Sequence, residues 1–230
     1  MNIKTVKQLS KAAEERSLPT CLNCSRFNDH EFPIYAFGCK KHQQPKSPLI
    51  LFILRDPSSP QREGIIGCAQ DGHVCPWCHT DQSANNFRRF YDLITKECWK
   101  LEVNSVGKYP VYFINAVMHG ADINTTPKMQ EIRSCAEVVK QTIQIVKPKL
   151  VVGFGLDSIK SLEISYEFNN LRAASEPIQK DGIHIWWSFH TSPLSLARKE
   201  NEVLTRFYEI GEWISANTLK SNRSAKGHTP

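Results

Sequence analysis

The residues of this chain that most openly invite chemistry are its eight cysteines, a high count for a sequence of 230 residues. Cys21-x2-Cys24-x14-Cys39-x2-His42 has the two-knuckle spacing of a structural zinc site, in which two short pairs close a tetrahedron of sulfur and nitrogen around one ion. Cys75 and Cys78 form another Cys-x2-Cys pair, which can build a second metal site with Cys68, His73 or His79. They can equally form a redox pair, although no thioredoxin-like pattern surrounds them. Disulfides are rare in reducing compartments, where clustered cysteines more often hold metal. No secretory signal opens the chain and no apolar run nears the ~20 residues of a membrane span. We therefore expect a cytoplasmic protein with no membrane association.

The remaining reactive groups depend on the elements that position them. Four short apolar runs, at 49–54, 111–117, 150–154 and 183–189, have the length and the β-branched and aromatic content of strands buried on both faces. Helical patterns separate them at about 83–96, 128–146 and 157–164, and a last one follows at 194–217. In the second of these Ile132, Cys135, Val139, Ile143 and Val146 recur at helical spacing as a core-facing stripe. A polar helix is expected at 3–16. Strands alternating with helices imply a three-layer α/β/α sandwich with a central four-stranded parallel sheet, here with a small N-terminal metal-binding module. We divide the chain into a module at 1–48, an α/β domain at 49–218 and a disordered tail at 219–230. Ligands bind such sheets at the carboxyl ends of the strands. That rule draws attention to Arg55-Asp56-Pro57-Ser58, Met118-His119-Gly120, Gly155-Leu156-Asp157 and His190-Thr191-Ser192-Pro193-Leu194-Ser195.

Two of these strand ends carry a family resemblance. Arg55-Asp56-Pro57 resembles the Gln-Asp-Pro-Tyr-His water-activating loop of uracil-DNA glycosylases. The run from His190 to Ser195 is similar to that family's His-Pro-Ser-Pro-Leu-Ser loop, with Thr191 in place of the first proline. Asn115 stands near the end of the second strand, where the family places the asparagine that reads the base edge. Segments 124–135 and 147–155 are similar to the iron-sulfur branch of the superfamily, and the likeness extends over roughly 49–198.

The resemblance implies a DNA glycosylase that flips a pyrimidine out of DNA and hydrolyses its bond to the sugar. Asp56 would orient the water and face the positive sugar, and His190 would donate a hydrogen bond to the pyrimidine O2, where negative charge grows. Asn115, with a donor and an acceptor on its amide, suits uracil or, turned over, cytosine. Arg55 belongs to the same substrate-binding group. Ser192, Pro193 and Arg198 would meet the DNA backbone, while Leu194 would fill the hole left by the flipped nucleotide. Leu194 also fits the first apolar turn of a helix, and Arg198 and Lys199 fit a solvated surface. Where the family carries a tyrosine that crowds the base C5 position, this chain has Ser58, which opens the pocket toward a 5-substituent such as methyl, hydroxymethyl or glucosylated hydroxymethyl. Trp77 or His73 would stack on the base.

The iron-sulfur branch offers a second cofactor reading, a cluster on Cys21, Cys24, His119 and Cys135 in place of zinc; Cys135 also fits a plain core position. The resemblance implies that the base excised is uracil or a 5-substituted pyrimidine, in repair or anti-phage defence, with a monomer as the family's default. A different class is a non-catalytic, metal-containing reader of modified or damaged DNA, which could dispense with the Asp56 carboxylate. A net charge of +6 fits a polyanionic partner, although part of it lies in the tail. Gly153-x-Gly155 lacks the third glycine of a dinucleotide-binding turn, and no acidic residue follows at the usual distance.

Overall fold

The computed structural model describes residues 3–15, 17–19, 24–28, 37–39, 41–56, 74–94, 107–119, 125–164 and 168–224. All four apolar runs are strands: β1 Ile50–Leu54, β2 Val111–Asn115, β3 Leu150–Phe154 and, following a short β4 at Ile178–Lys180, β5 Ile183–Ser188. The sheet order is β2-β1-β3-β5-β4, with the first four strands parallel and β4 antiparallel at the edge. The expected parallel sheet thus gains a fifth strand. Asp181 and Gly182, at φ 51° and 77°, turn β4 into β5 through the two positive-φ positions that an Asp-Gly pair suits.

Helices cover both faces. Leu51, Ile53, Val151 and Ile185 point to one side, where they pack with α1 (Val6–Glu14), α3 (Met129–Val146), α4 (Leu156–Ser161) and α5 (Phe168–Ala173). Their neighbours Phe52, Phe113, Val152 and Trp186 point to the other side, against α2 (Gln82–Ile94) and α6 (Pro193–Ser224). This period-2 division of continuously apolar strands between two cores makes them buried on both faces. Phe52 lies at the centre of the second core, stacked on Phe113 and Phe154 at 5.0 and 5.5 Å with Phe87 edge-on at 5.3 Å. Truncating it to alanine would cost about 3–5 kcal/mol.

The expected stripe of α3 is buried along its whole length, from Ile132 to Val146. The first helix is less polar in effect than its sequence suggests, because Leu9, Ala12 and Ala13 are buried in the core shared with α3. It starts at a Thr5–Gln8 capping box. α1 is therefore packed into the α/β core. At the other end α6 continues to Ser224, beyond the boundary expected at 218, while 225–230 lie outside the described residues. Among the described residues no helix is long and apolar enough to cross a membrane.

Candidate active site and metal centre

Asp56, Asn115 and His190 all lie at the carboxyl end of the sheet. Asp56 follows β1, Asn115 closes β2 in register with Leu54, and His190 follows β5. Parallel pairing sets this convergence, because strands that run together end together. At the turn after β3, Gly155 adopts φ 79°, and its N–H extends the ladder to the Ser188 carbonyl at 2.9 Å.

Both oxygens of Asp56 are engaged. Oδ1 accepts from Arg55 Nε at 2.6 Å and Oδ2 from Arg26 Nη1 at 3.1 Å, with the Asp56 side chain 7% exposed. Arg26 comes from a short 3-10 turn at Ser25–Asn28 and carries no motif that sequence reasoning could use. Buried at 5% exposure, it also donates through Nε to Glu131 Oε2 at 3.0 Å and through Nη1 to the His119 carbonyl at 3.1 Å. Burial would raise the Glu131 pKa, but hydrogen bonds from Ser25 and the Lys128 backbone and the Arg26 charge leave it lowered. One arginine between two carboxylates is a buried ion triad whose interruption costs about 3–5 kcal/mol.

His190 is locked in one tautomer. The Ser192 N–H donates to Nδ1 at 3.0 Å, so in the neutral ring the proton sits on Nε2. Burial, seconded by the Arg55 charge, lowers its pKa from 6.5 to about 4, while the carboxylates of Asp81 and Asp56 oppose the shift. A neutral imidazole with a fixed Nε2 donor results. Thr191, the departure from the family's proline, ties this loop to α2: its hydroxyl donates to the Ser83 carbonyl at 3.1 Å, and its carbonyl accepts from Asn86 Nδ2 at 3.0 Å. The Ser192 hydroxyl accepts from the Ser195 N–H at 3.4 Å at the start of α6. Pro193 opens that helix, Arg198 is on its exposed side, and Leu194 is 76% exposed, the most exposed large apolar side chain described. The helix breaks its geometry at Lys199 (φ −137°, ψ 20°), which separates the Leu194 turn from the long remainder.

The cysteines divide differently from their sequence spacing. Cys39 and His42 join Cys75 and Cys78, with all four ligand atoms within 4.8 Å of one another. His42 Nδ1 lies 3.6, 3.4 and 3.3 Å from the sulfurs of Cys39, Cys75 and Cys78, and the Cys39 and Cys75 sulfurs are 3.2 Å apart. This Cys3His set is positioned to bind a metal ion. The 75–78 turn is closed by Cys78 N–H to the Cys75 carbonyl at 3.0 Å, and Arg88 braces it by donating to the carbonyls of Pro76 and His79. The 37–44 segment runs beside β2: Gln44 N–H reaches the Val111 carbonyl at 3.1 Å, and the buried Gln43 amide joins Phe113 N–H to the Val74 carbonyl at 2.9 and 2.7 Å.

Cys24, expected either with Cys39 and His42 or, in the alternative set, with Cys135, lies against Cys135 and apart from the Cys3His cluster. A hydrogen bond with Cys135 outweighs burial and lowers its thiol pKa from 9.0 to about 7. His119, buried at 1% exposure, shares the Arg26 neighbourhood through its carbonyl. Cys21, Cys68, Ser58 and His73 lie outside the described residues.

Trp77 is not brought to the end of the sheet that carries Asp56. It stacks on Tyr109 at 4.0 Å and 7°, with Tyr91 and Phe87 edge-on at 5.5 and 6.3 Å. Tyr109, whose N–H the His42 carbonyl accepts at 2.9 Å, precedes β2, about 20 Å of extended chain from Asn115. The metal cluster and its tryptophan thus sit toward the end of the sheet opposite Asp56.

A model of the uracil DNA glycosylase superfamily matches residues 66–210, a span that contains Asn115 and the whole loop from His190 to Ser195 and begins after Asp56. None of the curated proteins matches the chain.

Proposed function

Since the chain belongs to the uracil DNA glycosylase superfamily, we propose that it is a DNA glycosylase that extrudes a pyrimidine nucleotide and hydrolyses its N-glycosidic bond, leaving an abasic site. The observation that carries this reading is the meeting of Asp56, Asn115 and the tautomer-fixed His190 at one end of the sheet. Cleavage of the bond leaves positive character on the sugar and negative charge on the base. The Asp56 carboxylate, oriented by Arg26 and Arg55, would face the sugar and hold the attacking water on its remaining lone pairs. The His190 Nε2 proton would meet the growing charge on the base O2 without being transferred, since a ring with so low a pKa stays neutral. Asn115 would hold the base edge.

Leu194 is exposed where a wedge into the base stack would need it, with Ser192, Pro193 and Arg198 along the strand backbone. The substrate we favour is uracil or a 5-substituted pyrimidine, hydroxymethylcytosine and its glucosylated form included. The tyrosine that crowds C5 in the resembled motif is Ser58 here. Such a substrate would place the enzyme in repair or in defence against phages with modified DNA.

The metal we assign to Cys39, His42, Cys75 and Cys78 is zinc, in a structural role. Bonds of about 2.3 Å to sulfur and about 2.1 Å to nitrogen put tetrahedral donors roughly 3.6 Å apart. The sulfur–nitrogen separations of 3.3–3.6 Å fit that geometry. An iron-sulfur cluster would spread its four donors over several irons. Zinc here would tie the 37–44 segment to the 75–78 turn and supply no catalytic group.

The test is incubation with labelled oligonucleotides carrying uracil, thymine opposite guanine, hydroxymethylcytosine or glucosylated hydroxymethylcytosine, followed by alkaline cleavage of abasic sites. We expect cleavage of at least one by the native protein and none by Asp56→Ala. A second reading, a reader that binds modified DNA without cutting it, draws on the engagement of both Asp56 oxygens by arginines. Binding without cleavage of any substrate would establish it.

A further inference from the structure

The two arginines on Asp56 are held with very different firmness. Arg26 is 5% exposed and is shared with Glu131 and the His119 carbonyl. Arg55 is 45% exposed and meets the carboxylate through Nε alone, at 2.6 Å. Among the described residues the Nη groups of Arg55 have no partner. The Nη donors of an exposed guanidinium are therefore uncommitted at the carboxyl end of the sheet, in the fork that fits two phosphate oxygens.

The role assigned to Asp56 conflicts with this pairing. A sugar gaining positive character is stabilised by a bare carboxylate and opposed by a cation seated on that carboxylate. The Arg55 charge is also felt by His190, so the guanidinium bears on both groups between which the sugar–base bond would lie. Arg26 can stay where it is, because burial fixes it and Glu131 shares its charge. Arg55 has neither restraint, and a half-exposed ion pair is weak enough for one new partner to replace it.

We propose that Arg55 is an exchangeable cover on Asp56: in the free protein it pairs with the carboxylate, and on DNA it transfers to a backbone phosphate, which bares Oδ1 toward the sugar and the water. The proposal rests on the glycosylase reading for what Asp56 does once bared; the exchange itself is a matter of binding. Arg26, left on Oδ2, keeps the carboxylate oriented. The carboxylate is thus held between two cations until nucleic acid arrives to draw one of them away.

The experiment uses the full chain and a fluorescein-labelled duplex with a central tetrahydrofuran, an analogue of the abasic product whichever base is released, titrated over a salt series. Arg55→Gln should bind about tenfold more weakly and lower the slope of log affinity against log salt by about 0.9, the loss of one phosphate contact. Arg55→Lys, which keeps the charge, should restore the slope. Asp56→Asn removes the competitor for the guanidinium, so it should bind about threefold more tightly than the native protein. That gain should vanish when Arg55→Gln is added, since the two side chains act as a pair.

A native slope in Arg55→Gln overturns the exchange and leaves Arg55 a fixed support of Asp56. An Asp56→Asn gain that survives in the double variant also overturns it, because the gain is then plain repulsion between the carboxylate and DNA. If no oligonucleotide is cleaved while slope and coupling both follow Arg55, the glycosylase reading falls and the exchange stands. A native protein that does not bind the duplex sinks both.

Discussion

The two ends of this sheet are built from opposite materials. Toward the start of β2, four soft donors from two tight turns stand within 4.8 Å of one another, a fully inward-looking arrangement. At the carboxyl end of the strands stand a carboxylate, an amide and an imidazole, the first oriented by two arginines and the last by the Ser192 N–H. The first end is positioned to close on an ion and so tie two turns of the chain together. The second keeps its groups ready for something that arrives. One scaffold separates the two tasks by roughly the length of a strand, so disturbing one end should change a different observable from disturbing the other.

The sharpest way to break this division is at the metal. Cys75→Ser, or exhaustive chelation, should remove binding free energy on the order of 10 kcal/mol from the folded state. Thermal unfolding would register it, while the molecules that remain folded keep their cleavage rate per active site. A specific rate that falls with the metal would show that the ends are coupled. Asp56→Asn should lower the cleavage rate by about 10²–10⁴-fold, and because it takes one carboxylate from the buried Arg26 triad it should lower the melting temperature as well, by less than metal loss does.

Arg26→Ala tests the boundary between holding and acting. Breaking the Glu131–Arg26–Asp56 triad should cost about 3–5 kcal/mol in denaturant unfolding and also disorient Asp56, so stability and rate fall together.

His190 supplies a pH test. Its folded pKa lies below its unfolded value of 6.5, at about 4, so the unfolded state takes up protons first. Stability contributed by the neutral ring is fully present above pH 6.5 and should be lost between pH 6.5 and 4, by about 3 kcal/mol. His190→Gln should flatten that part of the stability profile. The smallest structural effect belongs to Leu194→Ala. At 76% exposure it should leave stability within about 0.5 kcal/mol while weakening the hold on extruded DNA, measured by affinity for abasic duplexes.

The carboxyl end of the sheet was legible in the sequence because parallel strands buried on both faces read as continuous apolar runs, and whatever follows such a run is at the rim. Asp56, Asn115 and His190 needed only that rule and the resemblance. The metal end was less legible for a definite reason. Cys24 and Cys39 have a spacing that would suit two knuckles of one site, but the path of 37–44 along β2 carries Cys39 and His42 to Cys75 and Cys78, while the short turn at Ser25–Asn28 takes Cys24 to Cys135. Tertiary routing decided between ligand pairs that are locally equivalent.

Trp77 followed its cysteines to the Tyr109 stack. Arg26 belongs to no motif, and its role exists only because a 3-10 turn brings it between Glu131 and Asp56. β4 is three residues long and gives no periodicity, although the Asp181-Gly182 turn was a readable sign of a hairpin.

The segment bearing Cys39 and His42 has one further consequence. It lies along β2, the outermost strand on its side of the sheet, whose Val111, Tyr112, Phe113 and Ile114 are fully apolar or aromatic. A strand of that composition, once uncovered, is a template for pairing with another chain. An ion held by Cys39, His42, Cys75 and Cys78 would therefore also act as a guard against aggregation, and metal starvation would remove this protein from solution by self-association before it slowed any chemistry.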